Sequence, residues 1–126
     1  MAVPKSGLLV LDCAEPQELA GFYAALLGAE IRPGLDPDLV EVVGASGIHL
    51  AIRHDHGYAP PSWPRPDDSQ QAHLRLLVAR EDIDEAEREA VALGARPLDT
   101  KNNGGARDAR LYSDPAGHPF TLATLA

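Results

Sequence analysis

The chain has a single cysteine, Cys13, so no internal disulfide can close, which suits a reducing compartment. Basic residues are few, 11 Lys and Arg against 19 Asp and Glu, leaving a net charge of −8. A basic stripe of the kind that reads a phosphate backbone is therefore excluded, and attachment to an anionic membrane is disfavoured. No apolar run approaches the ~18 residues that a membrane span requires, and the first residues, Met1 to Lys5, show no signal-peptide core. The expectation is a cytoplasmic protein with no nucleic-acid and no membrane partner. Phosphate loops, paired Cys-x-x-Cys ligands and a Ser-His-Asp order are absent as well.

With 126 residues, 44% of them hydrophobic, the chain is long enough for one domain with a core of its own. Gly7–Cys13 is short and apolar and reads as a buried strand. Leu19, Phe22, Tyr23, Leu26 and Leu27 then recur at helical spacing behind Pro16, and Gly28 stands where a left-handed cap ends a helix. Extended stretches follow at Glu30–Arg32, Leu39–Val43 and Ile48–Arg53, the last two joined across Gly44–Gly47. Residues 54–72 carry four prolines and no period, the pattern of a linker or arm, with Tyr58 and Trp63 as aromatic anchors.

The same order then starts again. His73–Val78 reads as a strand, and Ile83, Ala86, Ala90 and Leu93 form a helical stripe that ends at Gly94. Arg96–Asp99, Ala109–Ser113 and Phe120–Leu125 are extended, with a Gly-rich loop at Lys101–Asp108 and a turn at Asp114–Gly117. Leu27-Gly28-Ala29 matches Leu93-Gly94-Ala95 at an offset of 66. That offset places Leu8 on Leu74, Val10 on Leu76 and Glu15 on Glu81. The chain is thus read as two tandem βαβββ modules of an α+β domain: module one 1–57, a Pro-rich linker 58–70, and module two 71–126.

The repeated modules, the helix FYAALLGAE (Phe22–Glu30) and the stretch YSDPAGHPFTL (Tyr112–Leu122) resemble the glyoxalase/bleomycin-resistance/dioxygenase group, the vicinal oxygen chelate superfamily. Tyr58–Leu74 further resembles its glyoxalase-like subgroup. The resemblance implies a curved mixed sheet around a central cup, and a homodimer. It also implies metal ligands on the inward side of the sheet, usually His or Glu, one from the first and one from the last strand of each module. In module two these positions fall on His73 and Thr121. In module one the offset puts the first on Gly7, while the second falls on His49 or Ala51. A stable divalent site needs three or more protein ligands, so the expectation is no metal and no other cofactor, with a divalent metal as the alternative.

Strand alternation sends His73, Arg75 and Leu77, Thr121 and Ala123, His49, Ala51 and Arg53, and Gly7, Leu9 and Leu11 into the cup. Such a lining suits a small organic ligand that is anionic or bears a carbonyl. The candidate ligand-binding residues are His49, Arg53, His73, Arg75, Thr121 and Trp63, with His49 and His73 the candidates for acid–base work. His73 is alternatively a cap on a backbone carbonyl, and Arg75 a partner of Asp99 or Glu41. A metal-dependent lyase, isomerase or dioxygenase is one alternative function, and sequestration of an antibiotic another. His54 and His56 form an H-x-H pair, read as a solvated loop because no third ligand stands nearby in the chain. His118 reads as a turn residue, and Cys13 as a small core residue.

Overall fold

A computed structural model describes residues 3–34, 36–45, 47–59, 72–100 and 108–125. The chain divides into two compact units, Met1–Ala59 and Pro60–Ala126, each built as strand, helix and three strands. Among the described residues no helix is long and apolar enough to cross a membrane.

The first unit holds β1 (Leu9–Cys13), α1 (Pro16–Leu27), β2 (Glu30–Pro33), β3 (Leu39–Val43) and β4 (His49–His54). Its sheet runs β1-β4-β3-β2, with β1 parallel to β4 and the other pairs antiparallel. Pro16 opens α1 where a missing N–H costs nothing, and Gly28 closes it at φ 61°, a left-handed angle that an L side chain resists. Leu19, Ala20, Phe22 and Tyr23 are buried, with the two rings edge-on at 4.9 Å. They pair with the apolar side of the sheet, where Val42, Leu50 and Ile52 are buried. Each such large side chain contributes about 1.5–3 kcal/mol when fully removed from water.

The second unit repeats this with β5 (Leu74–Val78), a single 3₁₀ turn at Arg80–Asp82, α2 (Ile83–Leu93), β6 (Arg96–Asp99), β7 (Ala109–Ser113) and β8 (Pro119–Thr124). The order is β5-β8-β7-β6, again with one parallel pair, β5 and β8. α2 ends at Gly94, whose φ of 121° is open to glycine almost alone. The β7–β8 turn is stapled by the buried Asp114, whose carboxylate accepts the backbone N–H of Ala116 and of His118 and meets the His118 ring at 3.1 Å.

The element order matches the reading of the sequence, but one register does not. The helix caps Gly28 and Gly94 are 66 residues apart, whereas β1 and β5 are 65 apart and β4 and β8 pair with them at positions 70 apart. Module two spends one more residue between its first strand and its helix cap. Because strand side chains alternate, that single residue reverses which face each β1 side chain occupies. Leu9 and Leu11 lie opposite Leu50 and Ile52 on the apolar side, and Val10 and Asp12 share the other face with Ala51 and Arg53. The assignment of Leu9 and Leu11 to the face of Arg53 is thereby corrected.

Candidate functional site

Each unit has a sheet face turned away from its helix, and the polar candidates divide between these two faces. In the first unit, His49, Ala51 and Arg53 on β4 share that face with Glu41 on β3 and with Val10 and Asp12 on β1. Arg53 and His49 each already have a carboxylate partner there. Arg53 is bidentate to Asp12, with Nε donating to Oδ1 and an Nη to Oδ2, both at 2.7 Å. That pairing, together with Asp55 and Asp38, raises the guanidinium's affinity for its proton. Nε2 of His49 lies 2.7 Å from Oε1 of Glu41. A ligand would have to displace a carboxylate from either group.

The second unit's outer face is different. Arg75 on β5 is in register with Thr121 on β8, Leu77 is in register with Ala123, and alternation puts His73 on the same side. Arg75 and His73 are exposed, and neither side chain makes a hydrogen bond or ion pair among the described residues. Thr121 is only 7% exposed, yet its hydroxyl too has no partner among them. A buried hydroxyl left unpaired costs about 1–3 kcal/mol, so this one favours an acceptor or donor brought from outside. Leu77, 57% exposed, supplies apolar surface beside these groups, while Ala123, in register with it, is buried. Within the second unit, Asp99, an expected partner of Arg75, makes no ion pair with it. Trp63 lies outside the described residues.

The strand positions to which the family resemblance assigns metal ligands can now be read from register. His73 and Thr121 hold them in the second unit; Leu8 and Ala51 are their counterparts in the first. Gly7 is thus replaced by Leu8. His49 is the counterpart of Pro119 and not of Thr121. Leu8 and Ala51 offer no donor atom, and one imidazole with one hydroxyl falls short of the three ligands a divalent ion needs. The residues at these four positions do not fit the metal.

Two features of the site chemistry were missed in the sequence. On the helix side of the second sheet, Arg110 is 1% exposed and is gripped by three carboxylates. Its Nε and one Nη donate to Asp108 at 2.9 Å, and it also reaches Asp84 at 2.8 Å and Glu87 at 3.2 Å. Tyr112 donates its hydroxyl to the other oxygen of Glu87 at 2.7 Å and stacks on Phe120. Hydrogen bonds to Asp108 hold the guanidinium protonated more firmly than usual. Burial, reinforced by Glu87, pushes the Tyr112 phenol upward. The signal was available: Asp84 and Glu87 stand one helical turn apart, and Arg110 and Tyr112 alternate onto one strand face. This network ties α2 to β7 and is structural. The second feature is Asp38, which comes to 3.5 Å from His56 and 3.9 Å from His54. The H-x-H pair therefore does have a third group beside it.

A cavity of about 560 Å³ opens at the edge of the first unit, lined by Gln17, Arg32, Asp36 and Val40 among others. None of the candidate ligand-binding residues lines it.

The glyoxalase-like domain family matches residues 8–123 of this chain. The chain belongs to the glyoxalase-like family. Solved structures of the same fold agree, although their identities are too low to carry function. FosX, a fosfomycin resistance protein from Listeria monocytogenes, superposes with TM-score 0.75 at 15% identity, covering 99% of this chain and 94% of that one. A mutant of the same Listeria protein, complexed with Mn(II) and 1S,2S-dihydroxypropylphosphonic acid, gives 0.71 at 16% identity, covering 97% and 90%. A glyoxalase/bleomycin resistance protein/dioxygenase family enzyme from Burkholderia phytofirmans PsJN gives 0.74 at 13% identity, covering 94% and 97%. No curated protein matches the chain. The family and the two-module α+β fold place this glyoxalase-like chain in the vicinal oxygen chelate superfamily.

Proposed function

We propose that this glyoxalase-like protein binds a small organic molecule bearing an anionic or carbonyl group on the outer face of its second sheet, without a metal at the family's strand positions. The observation that carries the reading is the set Arg75, His73 and Thr121, unpartnered among the described residues, which contrasts with the paired His49 and Arg53 of the first unit. A guanidinium suits a carboxylate, phosphonate or carbonyl oxygen, and the Thr121 hydroxyl suits a second oxygen of the same ligand. Leu77 would cover an apolar portion.

A thermal-shift screen with pyruvate, oxalate and propylphosphonate, set against cationic amines of similar size, tests the sign of the ligand. Anionic compounds are expected to raise the unfolding temperature, and ligand at 100 times its Kd adds about 2.7 kcal/mol of stability. For the best compound, Arg75→Ala is expected to weaken binding about 10- to 100-fold, the worth of a charge-assisted hydrogen bond. Stabilisation by amines alone, or unchanged affinity in Arg75→Ala, would refute the reading.

A further inference from the structure

We infer that Asp38, His54 and His56 form a binding site for a zinc-class divalent cation, made of residues other than those at the family's strand positions. The three side chains present one ligand atom each, and these atoms lie within 4.8 Å of one another. Two imidazoles and a carboxylate are the donor set that borderline ions such as Zn²⁺ prefer.

Register explains why the three meet. Leu39 pairs with Arg53 across β3 and β4, so the next positions outward are Asp38 and His54, and the backbone N–H of His54 donates to the Asp38 carbonyl at 2.8 Å. His56 is returned to the same place by a turn over Asp55–Tyr58, where Asp55 accepts the N–H of Gly57 on its side chain and that of Tyr58 on its carbonyl. Asp38 is set by a similar turn on Asp36. Alternation puts His54 on the side of Leu50 and Ile52, opposite to that of Arg53 and His49.

The spacing distinguishes this cluster from the other histidine–carboxylate pairs. His49 and Glu41 touch at 2.7 Å, and His118 and Asp114 at 3.1 Å, both within hydrogen-bond reach. In contrast, Asp38 stands 3.5 Å from His56 and 3.9 Å from His54, too far for a hydrogen bond. The two imidazole rings are meanwhile drawn together, with centroids 4.0 Å apart. Ligands around a tetrahedral zinc sit about 3.3 Å from each other, as follows from bonds of about 2.0–2.1 Å. The cluster is thus preset near the separation that a shared ion requires. Three protein ligands would leave one position of a tetrahedral ion open to water or to an oxygen of a small ligand. The exposure of His56 keeps that position accessible.

Isothermal titration of the tag-free full chain with Zn²⁺ near neutral pH, in a buffer that does not chelate, tests the site. A single zinc ion per chain is expected. Asp38→Asn, His56→Ala and the double variant His54→Ala/His56→Ala should each weaken binding by at least about 100-fold, since even supporting residues cost 10- to 100-fold. His49→Ala and His73→Ala should leave the isotherm unchanged. Co²⁺ should give tetrahedral d–d absorption bands that the double variant lacks. His56 is exposed, so its variant keeps the fold and serves alone if the double variant does not. Absence of stoichiometric zinc, wild-type affinity in His56→Ala, or loss of binding in His49→Ala or His73→Ala would overturn the proposal. None of these outcomes bears on the Arg75 ligand test.

Discussion

The two units share one plan of strands and helix but handle their charges in opposite ways. In the first unit the sheet side under α1 is apolar, built on Val42, Leu50 and Ile52, and the ion pair Arg53–Asp12 and the His49–Glu41 contact lie on the outer face. In the second unit the ion network lies under the helix, where Arg110 occupies the position of Val40 and meets Asp84, Glu87 and Asp108. Its outer face keeps Arg75, His73 and Thr121 unmatched among the described residues. The difference follows from the helices. α1 reads PQELAGFYAALL and can fill its interface with aromatic and aliphatic groups; α2 reads IDEAEREAVAL and brings the half-buried Glu87 and the exposed Asp84 to Arg110. On the other face, Arg75 has no carboxylate partner among the described residues.

The largest effect is expected from removing Arg110. Arg110→Ala would leave the buried carboxylate of Asp108 without a counter-charge, and breaking a buried pair in this way costs about 3–5 kcal/mol. Urea unfolding measures it. Asp84 is 73% exposed on its side chain, so Asp84→Asn should cost far less, as a surface pair does. Equal costs for the two variants would mean that the network is not the anchor of the second unit.

An intermediate effect attaches to Tyr112, with a distinct pH signature. Burial and the bond to Glu87 raise its phenol above the ordinary value of 10.0. The folded chain therefore holds the proton that the unfolded chain releases. This contribution is fully present below pH 10.0 and declines as the pH rises beyond it, by about 1.4 kcal/mol per pH unit for one proton. Tyr112→Phe should cost about 1.5 kcal/mol near neutrality and should flatten that alkaline decline. Urea midpoints measured from neutral to strongly alkaline pH check both, and an unchanged alkaline slope would contradict the buried phenol.

Much of this comparison could be read from the residues alone, and the rest failed for definite reasons. Helix stripes, cap glycines and the Asp114–Gly117 turn are local signals, and the structure keeps each near its expected place. Register is not local. One extra residue between β5 and Gly94 was enough to turn Leu9 and Leu11 to the wrong face and to align Gly7, in place of Leu8, with His73. Asp38 is separated from His54 by most of a hairpin, so its place beside the H-x-H pair depends on the Leu39–Arg53 pairing. Arg110 was legible only as one strand residue among five, because a buried arginine shows itself through the helix that faces it.

The smallest stability effect should come from Arg53, and it sharpens the contrast with Arg75. The Arg53–Asp12 pair is bidentate but half exposed, at 49% and 37%, and water and salt screen such a pair strongly. Arg53→Ala should leave the urea midpoint at physiological salt unchanged. Arg75→Ala should do the same, because Arg75 has no partner among the described residues to lose. In stability the two arginines are therefore indistinguishable, and only a ligand separates them. A guanidinium already held by Asp12 at two points has less left for an incoming anion, whereas no described residue occupies the donors of Arg75. Binding of the best anionic compound should be unchanged in Arg53→Ala and weakened about 10- to 100-fold in Arg75→Ala. If Arg53→Ala weakened binding as much, the outer face of the first unit would not be satisfied by its own charges, and the opposition between the two units would break at that residue.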